Sequence, residues 1–430
     1  MKTGKSAADQ PGTKPSLDWQ RHFQSKHRLF GLVAICTLLV PNDSAHAQTW
    51  TLTDASTNFE WQALACSADG SKLTAAAYDD GYGDGGPIYR STNFGGAWSP
   101  TTAPTNYAWQ SVASSSNGVK LVAAICQDEL DNPGPIYAST NSGLTWKAPT
   151  TPTNFWISVA ASADGTKMVA ADSGSGDGLI YTSTNSGKSW KATEALGDFW
   201  ASVASSADGT KLVAADSGYG DGLIYISTNS GTDWAATTAS TNQWAAVASS
   251  ADGTKLVAAD SGYGDELIYT STDSGNNWTA TTAPTNQWAA VASSADGTQL
   301  VAADSGYGDG LIYTSTNSGG AWTPTTAPVE YWTSVVVSAD GSRLAASCYP
   351  GGIYTWQSVP VLNIVPSSGN LLISWQALSS ATGFVLQAAS DLATTNWVVV
   401  TNQPALTNEM NQVVIPVLPG SNQFYRLINP

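Results

Sequence analysis

The sequence predicts an all-β chain, most of it one four-stranded unit written seven times and the remainder a smaller β segment. Three observations carry that reading. Sequence markers recur in fixed order with spacings of 48, 44, 44, 44 and 44 residues. The stretches between them, such as "WASVASSA", "KLVAAD" and "LIYIST", are short and rich in β-formers and small residues, with Gly, Asp, Asn or Ser at their ends. Composition agrees: only 12% of residues are charged, and 18 Trp argue against disorder.

The N-terminus reads as an export signal. Lys2, Lys5, Lys14, Arg21, Lys26 and Arg28 precede an apolar run from Leu29 to Val40, too short to span a bilayer comfortably. Ala45-His46-Ala47 then offers a small-x-small cleavage site, so cleavage is expected after Ala47 and the mature protein outside the cytoplasm (periplasm, cell surface or medium). Cys36 follows Ile35, which fits lipid attachment poorly. No membrane span is expected in the mature chain, and a monomer is expected. Residues 1–47 hold six of the 17 basic and three of the 33 acidic residues, leaving 11 and 30, a net of −19. Such a charge repels phosphate backbones and excludes nucleic acid as a partner. All three His lie in that leader, so the mature chain has no His base or metal ligand. Its three cysteines, Cys66, Cys126 and Cys348, cannot complete a disulfide framework.

Four markers define the repeat. An entry tryptophan (Trp61, Trp109, Trp156, Trp200, Trp244, Trp288, Trp332) opens each unit. A Ser-Ala-Asp-Gly-type turn follows, ending at Gly70, Gly118, Gly165, Gly209, Gly253, Gly297 and Gly341. Third comes an Ile-Tyr pair, from Ile88 to Ile353. The fourth, S-T-[ND]-x-G-x-x-W, appears six times, built on Asn93, Asn141, Asn185, Asn229, Asp273 and Asn317. A period near 44 residues suits the four-stranded blade of a β-propeller rather than a helical repeat. The seventh unit lacks its fourth marker, but Thr49–Asn58 resembles the outer strand of the first full repeat, Ala97–Asn106. The N-terminal strand is therefore expected to complete the last blade and close a seven-bladed ring over residues 48–357. Closure leaves no blade surface unpaired.

In the fourth marker the Asn or Asp side chain bonds its own backbone, Gly supplies positive φ, and Trp buries apolar area beside the turn. This motif resembles the Asp-box, or BNR, repeat. Such repeats occur in bacterial sialidases, xyloglucan-active glycosidases, sortilin-type receptors and the propellers of photosystem II assembly factors. The resemblance implies a structural box set away from the functional face, and it implies nothing firm about activity.

Functional residues are then sought on the opposite face. "DSGYGDG" joins the second and third strands of a unit, and its Asp pairs, Asp216 with Asp221, Asp260 with Asp265 and Asp304 with Asp309, are candidate Ca²⁺ ligands. The alternative is a solvated turn, since Asp favours turns and the EF-hand order is missing. Tyr219, Tyr263 and Tyr307, at the loop tips, are candidate ligand contacts. Trp200, Trp244 and Trp288 either stack on a sugar face or fill the gap between units; recurrence in every unit favours packing. For catalysis, Asp128, Glu129 and Asp131 break the repeat symmetry, as do Asp79, Asp80, Asp84, Glu194, Glu266 and Glu330. A glycosidase needs two carboxylates flanking the bond. The resemblance to sialidases implies an arginine triad, which Arg90, Arg343 and Arg426 are too scattered to form.

After Trp356 the repeat stops. Residues 358–430 read as five or more short strands resembling a fibronectin type III or immunoglobulin-like sandwich, with Trp375 as a core residue. The expected function is that of an exported, noncatalytic binding or scaffold protein for a polysaccharide or surface protein, needing no cofactor beyond the candidate Ca²⁺. The competing expectation is a polysaccharide-active hydrolase.

Overall fold

The computed structural model describes residues 50–79, 85–128, 132–148, 152–174, 178–195, 199–262, 266–306, 309–358, 362–367, 369–376, 384–391, 396–407, 410–416 and 423–428. Residues 1–49, which include the expected export signal, lie outside them.

Six antiparallel sheets follow the repeats in order, and each runs strictly from inner to outer strand. The fourth is representative: Trp200–Ser205, Leu212–Asp216, Ile224–Ser227 and Ala235–Ala236. The second has three strands, its outer edge reduced to a bridge between Ala138 and Lys147. A further sheet joins Tyr331–Val337, Arg343–Tyr349 and Gly352–Gln357 to Thr51–Leu52, with Thr51 opposite Thr355 and Leu52 opposite Tyr354.

The second strand of each unit is buried on both faces. Leu212 and Ala214 pack with Val169 and Ala171 of the preceding sheet, while Val213 and Ala215 pack with Trp244 and Val247 of the next. Side chains alternate along a strand, so a run such as Leu-Val-Ala-Ala serves two neighbours. Alanine at these positions brings the sheets close enough for the entry Trp to fill what remains. The last repeat packs on the first in the same way, Ala345 and Ile353 lying against Trp61, Leu64 and Ala75.

Backbone hydrogen bonds also cross from sheet to sheet. In the Ser-Ala-Asp-Gly turns, each second residue donates its amide to the equivalent carbonyl of the next unit: Ala68 to Ser116, Ser116 to Ala163, Ala163 to Ala207, Ala207 to Ala251, Ala251 to Ala295, and Ala295 to Ala339. Ala339 donates back to Ala68. All seven distances fall between 2.7 and 2.8 Å.

Beyond Gln357, two further sheets enclose a core of Ile373, Trp375, Leu386 and Val413. Trp375 is buried there, as expected.

Candidate functional site

One end of the sheets carries the Ser-Ala-Asp-Gly turns and the fourth-marker turns; the other carries the acidic loops and the links between units. At the first end the marker residues are structural. Asn93, Asn141, Asn185, Asn229, Asp273 and Asn317 each accept, through Oδ1, the amide hydrogen four residues on, at 2.8–3.0 Å. The residue after each has a φ of 56–60°, the left-handed conformation that this side-chain bond helps to hold.

At the loop end, each acidic loop is tied to two units. Ser217 donates to the carbonyl of Phe199 in its own unit, and Gly222 bridges Asn242 at the entry to the next. The next unit's tryptophan completes the tie. Trp200, Trp244 and Trp288 donate their indole N–H to the carbonyls of Gly178, Gly222 and Glu266 at 3.1, 3.2 and 2.8 Å. Each also meets a tyrosine of its own sheet edge-on, Trp244 and Tyr269 at 5.3 Å and 78°. These three indoles are 0–2% exposed, so the sugar-stacking role considered for them is corrected: both ring faces are spent on packing.

The loop aspartates serve the turn. Asp216, Asp260 and Asp304 end their strands buried, and each Oδ1 accepts the amide of the glycine two residues on. Asp221 and Asp309 are exposed, and Asp265 lies outside the described residues. Among the described residues, no three His, Cys, Asp or Glu side chains are grouped to hold a metal ion. Burial, with the charges of Asp309 and Glu266, pushes the Asp304 carboxyl up to about 6. Tyr219 sits in a short 3-10 turn, Gly218–Gly220, but its side chain, like all of Tyr263 and Tyr307, lies outside the description. In the backbone conformation at Gly222 a Cβ would stand 1.8 Å from the Asp216 carbonyl oxygen. Glu266 takes the equivalent place one unit on, at a φ of 25°.

Asp128 ends the second strand of its sheet, and its carboxylate accepts from the amide and side chain of Asn132 at 2.9–3.1 Å. That is a turn-holding role; Glu129 and Asp131 lie outside the described residues.

Among the described residues, two cavities open at the loop end. The first, about 840 Å³, is walled by inner strands of all seven sheets, mainly small neutral residues such as Ser111, Ser202, Ala246 and Ala290. Several of the serines bridge units, Ser202 Oγ accepting from the Val247 amide at 3.1 Å and Ser334 Oγ from Leu64 at 3.2 Å. The second, about 580 Å³, is a notch between the last repeat and the first, which shares Gln62 and Thr333 with the channel. Glu60, Tyr331, Tyr349 and Pro350 line it. Thr333 Oγ1 donates to the Trp61 carbonyl at 2.7 Å beneath it, joining the two sheets. Tyr331 and Tyr349 are 36% and 46% exposed and meet edge-on at 6.1 Å. Glu60 lies directly opposite Asp79 across the strand pair. Burial and the Asp79 charge raise the Glu60 carboxyl, against a hydrogen bond from Tyr349.

Sequence reasoning missed Glu60 and the two tyrosines. The available signal was the turn: Tyr349 and Gly352 are separated by two residues, where Asp216 and Ile224 are separated by seven.

No protein-family model matches this chain, and no curated protein matches it. Solved structures do. YCF48 from Cyanidioschyzon merolae aligns with a TM-score of 0.55 and 15% identity over 72% of this chain and 98% of its own. The chain folds as a β-propeller. A GH74 xyloglucanase from Xanthomonas campestris aligns with a TM-score of 0.55 at 14% identity, over 76% of this propeller chain and 59% of the enzyme. YCF48 bound to D1 peptide gives 0.53 at 16%, over 72% and 97%. At such identities the likeness carries the fold alone, because one propeller scaffold serves unrelated activities.

Proposed function

We propose that the protein is an exported, noncatalytic binding or scaffold propeller that contacts a protein or polysaccharide through its loop face. The observation that carries this reading is the use made of the loop-face carboxylates. Asp128, Asp216, Asp260 and Asp304 are turn acceptors, and the channel wall is built from small neutral side chains. A face so uniformly bonded suits display better than chemistry. The YCF48 structure with a bound D1 peptide supports a protein partner for a fold of this type.

We further infer a closed, seven-bladed ring of Asp-box units over residues 48–357. The circuit of amide bonds through Ala68 and Ala339 and the pairing of Leu52 with Tyr354 support it. A leader over residues 1–47 and a fibronectin type III-like domain over 358–430 complete the proposal. Calcium at the acidic loops is retained as a separate proposal, based on the crowding of Asp304 by Asp309 and Glu266. A melting temperature higher in millimolar Ca²⁺ than in EGTA, lost in Asp304→Asn/Asp309→Asn, tests it.

Among the described residues, the hydrolase reading is best served by the Glu60–Asp79 pair, since a raised carboxyl beside a second carboxylate is the pairing that glycosidases use. A glycan array run beside a reducing-sugar assay on xyloglucan and other β-glucans decides between the readings. Binding without sugar release is expected. Release that disappears in Glu60→Gln would sink the noncatalytic reading.

A further inference from the structure

The notch breaks the symmetry of the repeat for an identifiable reason. In the fourth unit, seven residues join the second and third strands, and that loop covers the entry to the following unit. In the last unit only Pro350 and Gly351 make the connection. Gly351, at a φ of 74°, lies so close to the first unit that a Cβ would stand 2.3 Å from the Thr57 carbonyl oxygen. The turn is pressed down at its tip while the space beside it stays open. Trp61 takes its indole acceptor locally, at Ser56, as Trp109 does at Pro104.

The opening is lined by exposed aromatic rings and a carboxylate. Tyr331 and Tyr349 are exposed at its edge, and Glu60, which accepts a hydrogen bond from Tyr349, has Asp79 directly opposite it on the adjacent strand. Like charges placed directly opposite on a sheet destabilise it, and a cation between them reverses the sign. Aromatic faces attract the same cation, most strongly where water is partly excluded. The chain's net charge of −16 favours the approach of cationic rather than anionic partners.

We propose that this notch binds the cationic side chain of a partner protein, an arginine guanidinium or lysine ammonium, held by Glu60 with the Asp79 charge opposite it, and stacked against Tyr331 and Tyr349. The proposal rests on the reading of the loop face as a binding surface and names the partner's chemistry there. A guanidinium suits the site better than an ammonium, because its planar fork can both bridge carboxylates and stack on a ring.

The test is fluorescence anisotropy of the full chain with a labelled Gly-Arg-Gly-Arg-Gly peptide. Its lysine and glutamine counterparts are run in parallel, in low salt and in physiological salt. The arginine peptide is expected to bind best and the glutamine peptide not at all. Glu60→Gln/Asp79→Asn should weaken binding about tenfold or more, while Asp208→Asn/Asp233→Asn, which removes as much charge from exposed turns at the opposite end of the sheets, should leave it near wild type. Tyr331→Leu should weaken it as well, and Tyr331→Phe should not, since the ring face survives. Melting temperatures establish that each variant is folded. Equal losses in both double variants, or equal affinity for the glutamine peptide, would overturn the proposal. If the peptides fail but a glycan binds and is lost in Tyr331→Leu, the cation assignment falls and the binding face stands. If neither peptide nor glycan binds, or if sugar is released, both fall.

Discussion

The Ala339 amide donates to the Ala68 carbonyl at 2.7 Å, across 271 positions of sequence, and joins the last repeat to the first. The same bond links every other pair of neighbouring turns, so the ends of the array are held as its middle is. One more tie lies at the outer edge of the last sheet. Trp50 is 8% exposed, packs 6.3 Å from Trp332, and donates from Nε1 to Thr325 Oγ1 at 3.1 Å.

Replacing Trp50 by Ala should therefore cost about 3–5 kcal/mol, the usual range for deleting a buried aromatic. Urea unfolding followed by circular dichroism measures it. A change under about 1 kcal/mol would mean that the N-terminal strand is not part of the cooperative unit.

Trp244→Phe keeps a ring against Tyr269 but leaves the Gly222 carbonyl without its indole donor. That carbonyl still accepts from the Asn242 amide, so a loss of only about 0.5–1.5 kcal/mol is expected. Because this indole is buried, saturating glycan should not quench its fluorescence selectively; the difference spectrum between wild type and Trp244→Phe reads that directly.

Asp304 gives a pH dependence of known sign. Its carboxyl is raised to about 6, chiefly by burial, so the native state holds this proton more tightly than the unfolded chain does. This group's contribution to stability therefore falls as pH rises from about 4 through about 6. Asp304→Asn keeps an Oδ1 acceptor for the Gly306 amide and removes the charge. Its melting temperature should exceed wild type at pH 7.5, with the difference vanishing near pH 4. An advantage that grows on acidification would contradict the assignment.

The turn aspartates run the other way. Asp208 accepts from Ser206, from the Thr210 hydroxyl and from the Thr210 amide, and these bonds hold it down to about 2; Asp164 and Asp252 are held similarly. Stability from these groups is fully present above pH 4 and is lost as pH falls toward about 2. Their exposure to solvent screens the effect, so it shows as a summed shift and not as one large step. Asp164→Ala/Asp208→Ala/Asp252→Ala should flatten the decline in melting temperature between pH 4 and pH 2.

The amino-acid sequence alone determined the strands and turns, because their chemistry is local and is repeated. A Gly that tolerates positive φ, an Asn or Asp that bonds the backbone four residues on, and a Leu-Val-Ala-Ala run can each be read without knowing the neighbours. The role of the entry tryptophans could be argued only from their recurrence, and their coordinates answered it: Trp200, Trp244 and Trp288 are packed on both faces. Asp128 stood out as an irregular acid in the sequence, yet its irregularity builds a turn with Asn132. The short turn after Tyr349 was the sequence's one hint of the notch, whose lining was decided by tertiary structure. Glu60 and Tyr331 are 271 positions apart and meet only because the last sheet packs against the first, where a two-residue turn replaces a seven-residue loop. Proximity of that kind arises from the packing of whole sheets, and no single segment of the chain encodes it.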